Sequence, residues 1–179
     1  MFRLMREREA DAAEVEWLLD TAFAPGRTAL SSYRLREGVA PVADLCLVAR
    51  DEFDAVAGAI RFWPIRIGGA AALLLGPVAV HPTRQGEGLG ALLIGEALER
   101  AAELGWTRVV LVGDEPYYAR FGFRRALAEG LAFPEPTNPA RVLARELVPG
   151  ALRGVAGEVC RWDAPAAAAE RGAPSGRGA

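Results

Sequence analysis

Apolar positions along this chain change their period several times, and each change predicts an element. Phe2-Arg3-Leu4-Met5 alternates weakly and reads as a short first strand. From Glu9 to Phe23, Val15, Leu18, Leu19, Ala22 and Phe23 recur at helical spacing, and Pro25-Gly26 ends that helix. Arg27 to Glu37 is mixed and reads as a second short helix stopped by Gly38. Asp44 to Arg50 predicts a strand, and "DEFD" turns it into an antiparallel partner over Ala55 to Ile67. Ala70 to Val80 is apolar on both faces, as a buried central strand is.

The helical period returns from Gly88 to Leu104. Leu89, Leu93, Ala97 and Ala101 line one face, Glu96, Glu99, Arg100 and Glu103 lie outside, and Gly105 is placed to cap the end. Arg108 to Gly113 predicts another buried strand. "DEPYYARFGF" then starts a short helix, with Asp114 or Glu115 as its cap and Pro116 in its first turn. Arg141 to Leu147 and Val155 to Trp162 read as closing strands. Residues 164–179 hold seven alanines, three glycines and two prolines, and such a stretch is expected to be a disordered tail. The sum is one mixed α/β domain over residues 1–163, a twisted sheet flanked by helices, with no internal repeat.

Composition removes whole classes of chemistry. The 179 residues are 51% hydrophobic, which suits a single globular core. Twenty-one basic against 23 acidic residues give a net charge of −2, so no basic patch marks the chain as a nucleic-acid binder. Every basic residue is arginine, and the lack of lysine excludes Schiff-base catalysis and a Walker loop. His81 is the only histidine, and Cys46 and Cys160 are far apart. That is too few ligands for a zinc site and no disulfide framework, and the cysteines read as small buried hydrophobes. The N-terminus lacks the apolar core of a signal peptide and no apolar run spans a membrane, so a cytoplasmic location is expected.

The candidate chemistry lies in "LLLGPVAVHPTRQGEGLGALLIGEALERAAELG". Pro77 cannot donate to a ladder, so Gly76-Pro77 predicts a bulge that leaves the backbone of Val78, Ala79 and Val80 available to something other than a strand. Gln85, Gly86, Glu87, Gly88, Leu89 and Gly90 follow where the chain enters a helix. Glycines there let backbone amides approach an anion at a helix N-terminus. A dinucleotide fingerprint would need the order GxGxxG within repeated βαβ units, and neither is present.

Two motifs in this region carry a resemblance. Gln85-x-x-Gly88-x-Gly90 is similar to the pyrophosphate loop of the GNAT superfamily of acetyl-coenzyme A-dependent N-acetyltransferases. "YYARFGF" is similar to that family's Tyr-x-x-x-Gly-Phe segment, with Tyr118 at the tyrosine. Residues 2 to 162 resemble a bacterial subgroup of predicted acetyltransferases. The resemblance implies one twisted, mostly antiparallel sheet whose central strands splay apart at the cofactor. It implies that acetyl-coenzyme A is the cofactor, its pyrophosphate on the 85–90 amides and its pantetheine arm along Val78 to Val80. An amide at the bulge would steady the thioester oxyanion, and Tyr118 would be the general acid. The acceptor would be a small-molecule or peptide amine, and a homodimer would be in keeping with the family.

Several assignments stay open on the residues alone. Arg84 either adds charge toward a phosphate or is solvated, and Glu87 is expected to point to solvent. Tyr118 is either the acid or core packing beside Phe121 and Phe123. Tyr117 is expected to turn elsewhere, since neighbours on a helix lie about 100° apart. Asp114 is a cap or a base, Glu115 lies near the same strand end, and water could carry the proton instead. His81 is expected to cap or line a turn, and neither Ser31 nor Ser32 sits on a nucleophile elbow. Arg27, Tyr33, Arg34 and Arg36 are either a solvated face or a site for an acidic acceptor. An acyl-coenzyme A sensor without turnover is the alternative function.

Overall fold

The structure, a computed structural model, describes residues 1–23 and 26–163. The expected helix stop at Pro25 and the tail from 164 to 179 lie outside these residues.

Strands β1 (Arg3–Arg6), β2 (Leu47–Arg50), β3 (Val56–Ile67), β4 (Ala70–Val80), β5 (Arg108–Val112) and β7 (Val142–Glu146) form a sheet in the order β1-β2-β3-β4-β5-β7. Strand β8 (Gly157–Arg161) pairs with the far end of β3, and β6 (Leu131–Ala132) pairs with β8. All neighbours are antiparallel except β4/β5 and β6/β8, which are parallel. This is the mixed, mostly antiparallel sheet that the pattern predicts.

Helix α3 (Leu89–Glu103) covers one face of the sheet. Its Leu89, Leu93, Ile94, Ala97, Leu98 and Ala101 pack on Phe62, Leu73, Val109 and Leu111. Helix α1 (Ala12–Ala22) covers the other face, burying Val15, Leu18 and Leu19 against Val48, Ala59 and Ala79. Gly105 ends α3 as expected. At φ +88° its N–H bonds Ala102 O at 3.0 Å, while Trp106 N–H bonds Ala101 O at 3.0 Å, the paired bonds of a Schellman cap.

Three predicted elements differ in the structure, and a fourth element was not predicted. The Arg27–Glu37 helix is a 3₁₀ turn at Arg27–Ala29 followed by α2 (Ser31–Arg34), because Leu30 is extended and interrupts it. Asp44 lies in a 3₁₀ turn at Ala43–Leu45, so β2 starts at Leu47. The last strand is shorter than Val155 to Trp162, since Val155 and Ala156 sit in the connection before Gly157. Strand β6 is two residues long and gave no alternating pattern to find.

Candidate active site

The sheet opens at its centre. Strand β4 pairs with β5 only through Leu73–Val109 and Leu74–Val110. It stays paired with β3 as far as Val80–Gly58, across a register shift where Ile60 faces Val78 and Phe62 faces Leu75. Gly76-Pro77 is the extra material at that shift, so the proline makes the bulge predicted of it. The consequence is sharper than the prediction. Val78, Ala79 and Val80 are bonded to β3 on one edge, and only the edge facing β5 is left open.

The loop that follows has the same character. His81 caps the 3₁₀ turn Pro82–Arg84, its Nδ1 accepting from Thr83 N, and stacks on Trp17 with ring centroids 5.7 Å apart. It is a turn residue, as expected. Gln85 Nε2 donates to Val80 O at 3.4 Å and ties the loop back to the strand. Gly86 and Gly88 hold φ of +84° and +78°, and a Cβ on either would meet nothing within 4 Å. Their conformation is one that side-chain-bearing residues avoid, and the space above them is clear. Among the described residues, the N–H groups of residues 85 to 90 have no backbone acceptor outside the helix. A row of unspent amides at the start of a 15-residue helix fits a phosphate group.

Arg84, next to that row, is tied to acids. Its Nη2 bonds Asp51 Oδ2 at 2.9 Å and Glu52 Oε1 at 3.1 Å, and its Nη1 stands 3.9 Å from Glu87 Oε1. It is ion-paired and not simply solvated. Glu87 is exposed, as expected.

Across the opening, β5 ends at Val112 and α4 (Glu115–Tyr118) begins, with Asp114 in the cap position. The main chain of Asp114 accepts from Tyr117 N and Tyr118 N, both at 3.1 Å, but its side chain makes no cap bond. It turns to Arg141 Nε at 3.2 Å instead. Glu115 accepts from Arg125 N at 3.2 Å and does not line the opening.

Tyr118 packs on the core cluster beside Phe121 and Phe123 and also faces the opening, so packing and chemistry are compatible roles. Burial, aided by neighbouring Tyr117 and Asp114, pushes its phenol up to about 12. Tyr117 does not turn elsewhere. It lines the same opening, edge-on to Tyr118 at 4.9 Å, and its hydroxyl lies 3.4 Å from where a Cβ on Gly90 would stand. The short helix bends into a 3₁₀ turn at Ala119, and ideal 100° spacing does not describe where the two rings go.

These surfaces enclose a cavity of about 390 Å³, within the range of small-molecule sites. Leu75 to Val78, Leu111 to Asp114 and both tyrosines form one end, and Tyr33, Arg36 and Arg27 the other. A second cavity of about 490 Å³ shares Arg27, Tyr33, Arg36 and Pro77 with it and adds Trp63 and Arg61. Helix α2 packs against the loop over residues 135–137. Ser31 Oγ bonds Pro136 O at 3.2 Å and contacts Thr137 Oγ1, and Arg34 Nη1 bonds Glu135 O at 3.0 Å. Arg141 and Trp63 carried no sequence signal that separated them from other surface and strand residues.

A strand parted from its parallel neighbour, a glycine loop of unspent amides and a half-buried phenol thus lie close together at one side of the sheet. Comparison with known proteins identifies the family. The profile described as "Acetyltransferase (GNAT) domain" matches residues 43–125. The chain is 33% identical over 151 residues to YhbS of Escherichia coli K12, described as an uncharacterized N-acetyltransferase, covering 83% of this chain and 89% of that protein. The crystal structure of Escherichia coli YhbS in complex with CoA superposes with a TM-score of 0.78 at 31% identity, over 89% of each chain. A GNAT family acetyltransferase from Brucella melitensis, in complex with acetyl-CoA, gives a TM-score of 0.68 at 31% identity, over 89% of this chain and 95% of that one. The chain belongs to the GNAT family of acetyltransferases.

Proposed function

We propose that the protein moves an acetyl group from acetyl-coenzyme A to the primary amine of a small acceptor by direct attack in a ternary complex. The observation that carries this reading is the parting of β4 from β5 with Tyr118 on the far side. The open edge of Val78, Ala79 and Val80 offers backbone groups to the amides of a pantetheine arm. The N–H groups of Gln85, Gly86, Glu87, Gly88, Leu89 and Gly90 offer donors to its pyrophosphate. Two relatives with CoA or acetyl-CoA in their crystal structures support the choice of cofactor.

Acetyl-coenzyme A supplies an activated acyl group: a carbon–nitrogen bond forms to the amine, the carbon–sulfur bond breaks, and the sulfur leaves needing a proton. Tyr118 Oη is assigned here as the hydrogen-bond donor to that sulfur. At about 12 the phenol is protonated at every physiological pH. A thiol titrates at about 8.5, so complete transfer from such a phenol is uphill. Tyr118 therefore holds the departing sulfur through a donated hydrogen bond and keeps its own proton, coenzyme A leaves as the thiolate and takes a proton from water, and the amine nitrogen sheds one proton as the amide forms. Asp114, exposed at the strand end and oriented by Arg141, takes that nitrogen proton directly or through water.

Direct attack is favoured because neither cysteine stands ready to carry the acetyl group. Cys46 donates to Val42 O at 3.3 Å, burial pushes its thiol up to about 11, and neither it nor Cys160 lines the cavity. The test is a broad amine screen that follows free thiol release from acetyl-coenzyme A. Turnover of any primary amine, with one equivalent of amide per thiol, supports the transferase. Tight acetyl-coenzyme A binding with no turnover across the screen would make the chain a sensor.

A further inference from the structure

Four arginines line the acceptor side of the two cavities: Arg27 and Arg61 are paired with acids, and Arg34 bonds the main-chain oxygen of Glu135. Arg27 bonds Glu16 at 2.5 Å, Asp20 at 2.8 Å and the Tyr33 hydroxyl at 2.6 Å. Arg61 bonds both carboxylate oxygens of Glu7, at 2.9 and 2.6 Å, and Glu16 at 2.6 Å. Arg36 has no acid. Only 9% of it is exposed, and its Nε and Nη1 have no hydrogen-bond partner among the described residues. Its guanidinium carbon lies 4.4 Å from the Tyr33 ring centroid and 5.9 Å from that of Trp63, so two aromatic faces lie against it. The Trp63 indole N–H is likewise buried without a partner.

Burial pushes Arg36 down to about 10, which still leaves it cationic at neutral pH. A buried cation without a counter-charge is costly, and a guanidinium fork matches a carboxylate in shape and donor spacing. Arg36 lines both cavities, and its Nη2 lies 3.4 Å from where a Cβ on Gly76 would stand. Gly76 adjoins the bulge that opens β4. A side chain at that position would crowd the guanidinium at the point where it meets the reaction end of the cavity.

We infer that the acceptor is a small amine bearing a carboxylate, and that Arg36 receives that carboxylate while the amine reaches the gap between β4 and Tyr118. This rests on the transferase reading above and narrows it to amino acids and amino-acid-like amines. Glu7, Glu16 and Asp20 are engaged by Arg27 and Arg61 and none of them bonds Arg36, so a carboxylate entering the cavity would give this guanidinium its first direct acid partner.

The test compares α-amino acids, their α-amides and their decarboxylated amines in the thiol-release assay, with a glycine to 6-aminohexanoate series to measure the reach from Arg36. The acids are expected to exceed their amides in kcat/KM by about tenfold to a hundredfold, the range for losing one charge-assisted hydrogen bond. Arg36→Met is expected to bring that ratio close to one. In parallel, the melting temperature of the native chain and of Arg36→Met is followed with N-acetylated amino acids and with their amides. The acids should raise it in the native chain only.

Turnover that ignores the carboxylate, or an acid-to-amide ratio that survives Arg36→Met, overturns the carboxylate site and leaves acetyl transfer standing. An acid-specific melting shift that needs Arg36, with no amine turned over, leaves the site standing and overturns the transferase. If Arg36→Met does not fold, the acid-to-amide ratio of the native chain decides alone.

Discussion

The ring of Tyr118 occupies the space that any side chain at Gly113 would need. A Cβ there would stand 2.4 Å from Tyr118 Cε2 and 2.9 Å from Cδ2. The backbone end of β5 is thus the seat of the phenol, and a missing side chain sets its position. Gly113→Ala should push the ring out of place and lower kcat by about a hundredfold, the lower end of what a misplaced general acid costs. The affinity for coenzyme A, read by calorimetry, should hold because Gly113 touches neither the loop nor the open edge of β4. Equal losses in binding and turnover would mean that the substitution disturbs the sheet and not the phenol.

Tyr118→Phe keeps the ring and removes the proton. Acetyl-coenzyme A affinity should survive, and turnover should fall by at least about tenfold. Unchanged turnover would remove Tyr118 from the mechanism.

The same residue leaves a signature in stability against pH. Its folded phenol sits at about 12, above the ordinary tyrosine value of about 10. As pH rises above about 10 the unfolded chain loses this proton first, so stability present below 10 declines toward 12. Tyr118→Phe should flatten that part of a denaturation series taken from pH 9 to 12. A native chain with no decline there that depends on Tyr118 would contradict the buried, protonated phenol.

Gly88 lies at φ +78° in the loop whose amides are proposed to hold pyrophosphate. Gly88→Asp would strain the backbone and set a negative charge beside the phosphates. Coenzyme A binding should fall below detection in calorimetry, while the melting temperature of the ligand-free chain drops only modestly, since a Cβ there meets nothing within 4 Å. Normal affinity would show that the loop holds no phosphate.

Asp114 is solvent-exposed and bonded to Arg141, so water has access to the proton it is proposed to accept. Asp114→Asn should lower kcat by about three- to tenfold and no more, because water can substitute for an exposed base. A loss above about a thousandfold would make it the sole base.

Much of this site could be read from the chain because it is written in local pattern. Pro77 inside an apolar run predicts the bulge, and the glycines before α3 predict free amides. Both are backbone effects that a residue type announces by itself. Asp114 was legible only as a position. Its choice of Arg141 over the helix N-terminus depends on β7 lying beside β5, which spacing along the chain does not encode. Tyr117 was misplaced by ideal helix geometry in a segment only four residues long. Arg36 could be named but not weighed. Its meaning comes from Arg27 and Arg61 holding Glu7, Glu16 and Asp20 while Arg36 bonds no acid, a comparison that exists only once distant segments are packed together.

The open edge of β4 has a further consequence. Cofactor recognition by main-chain groups is indifferent to which apolar side chain sits at 78, 79 or 80, whereas the acceptor end depends on the identity of a few side chains around Tyr33 and Arg36. Saturation mutagenesis across the two ends should therefore give unlike landscapes. At 78 and 80 many apolar residues would keep the donor and lose little, while Ala79, buried under α1, would stay small; around position 36 single changes would redirect the chain to a different amine. The donor half of the reaction is robust to drift, and the acceptor half is where a new specificity can arise.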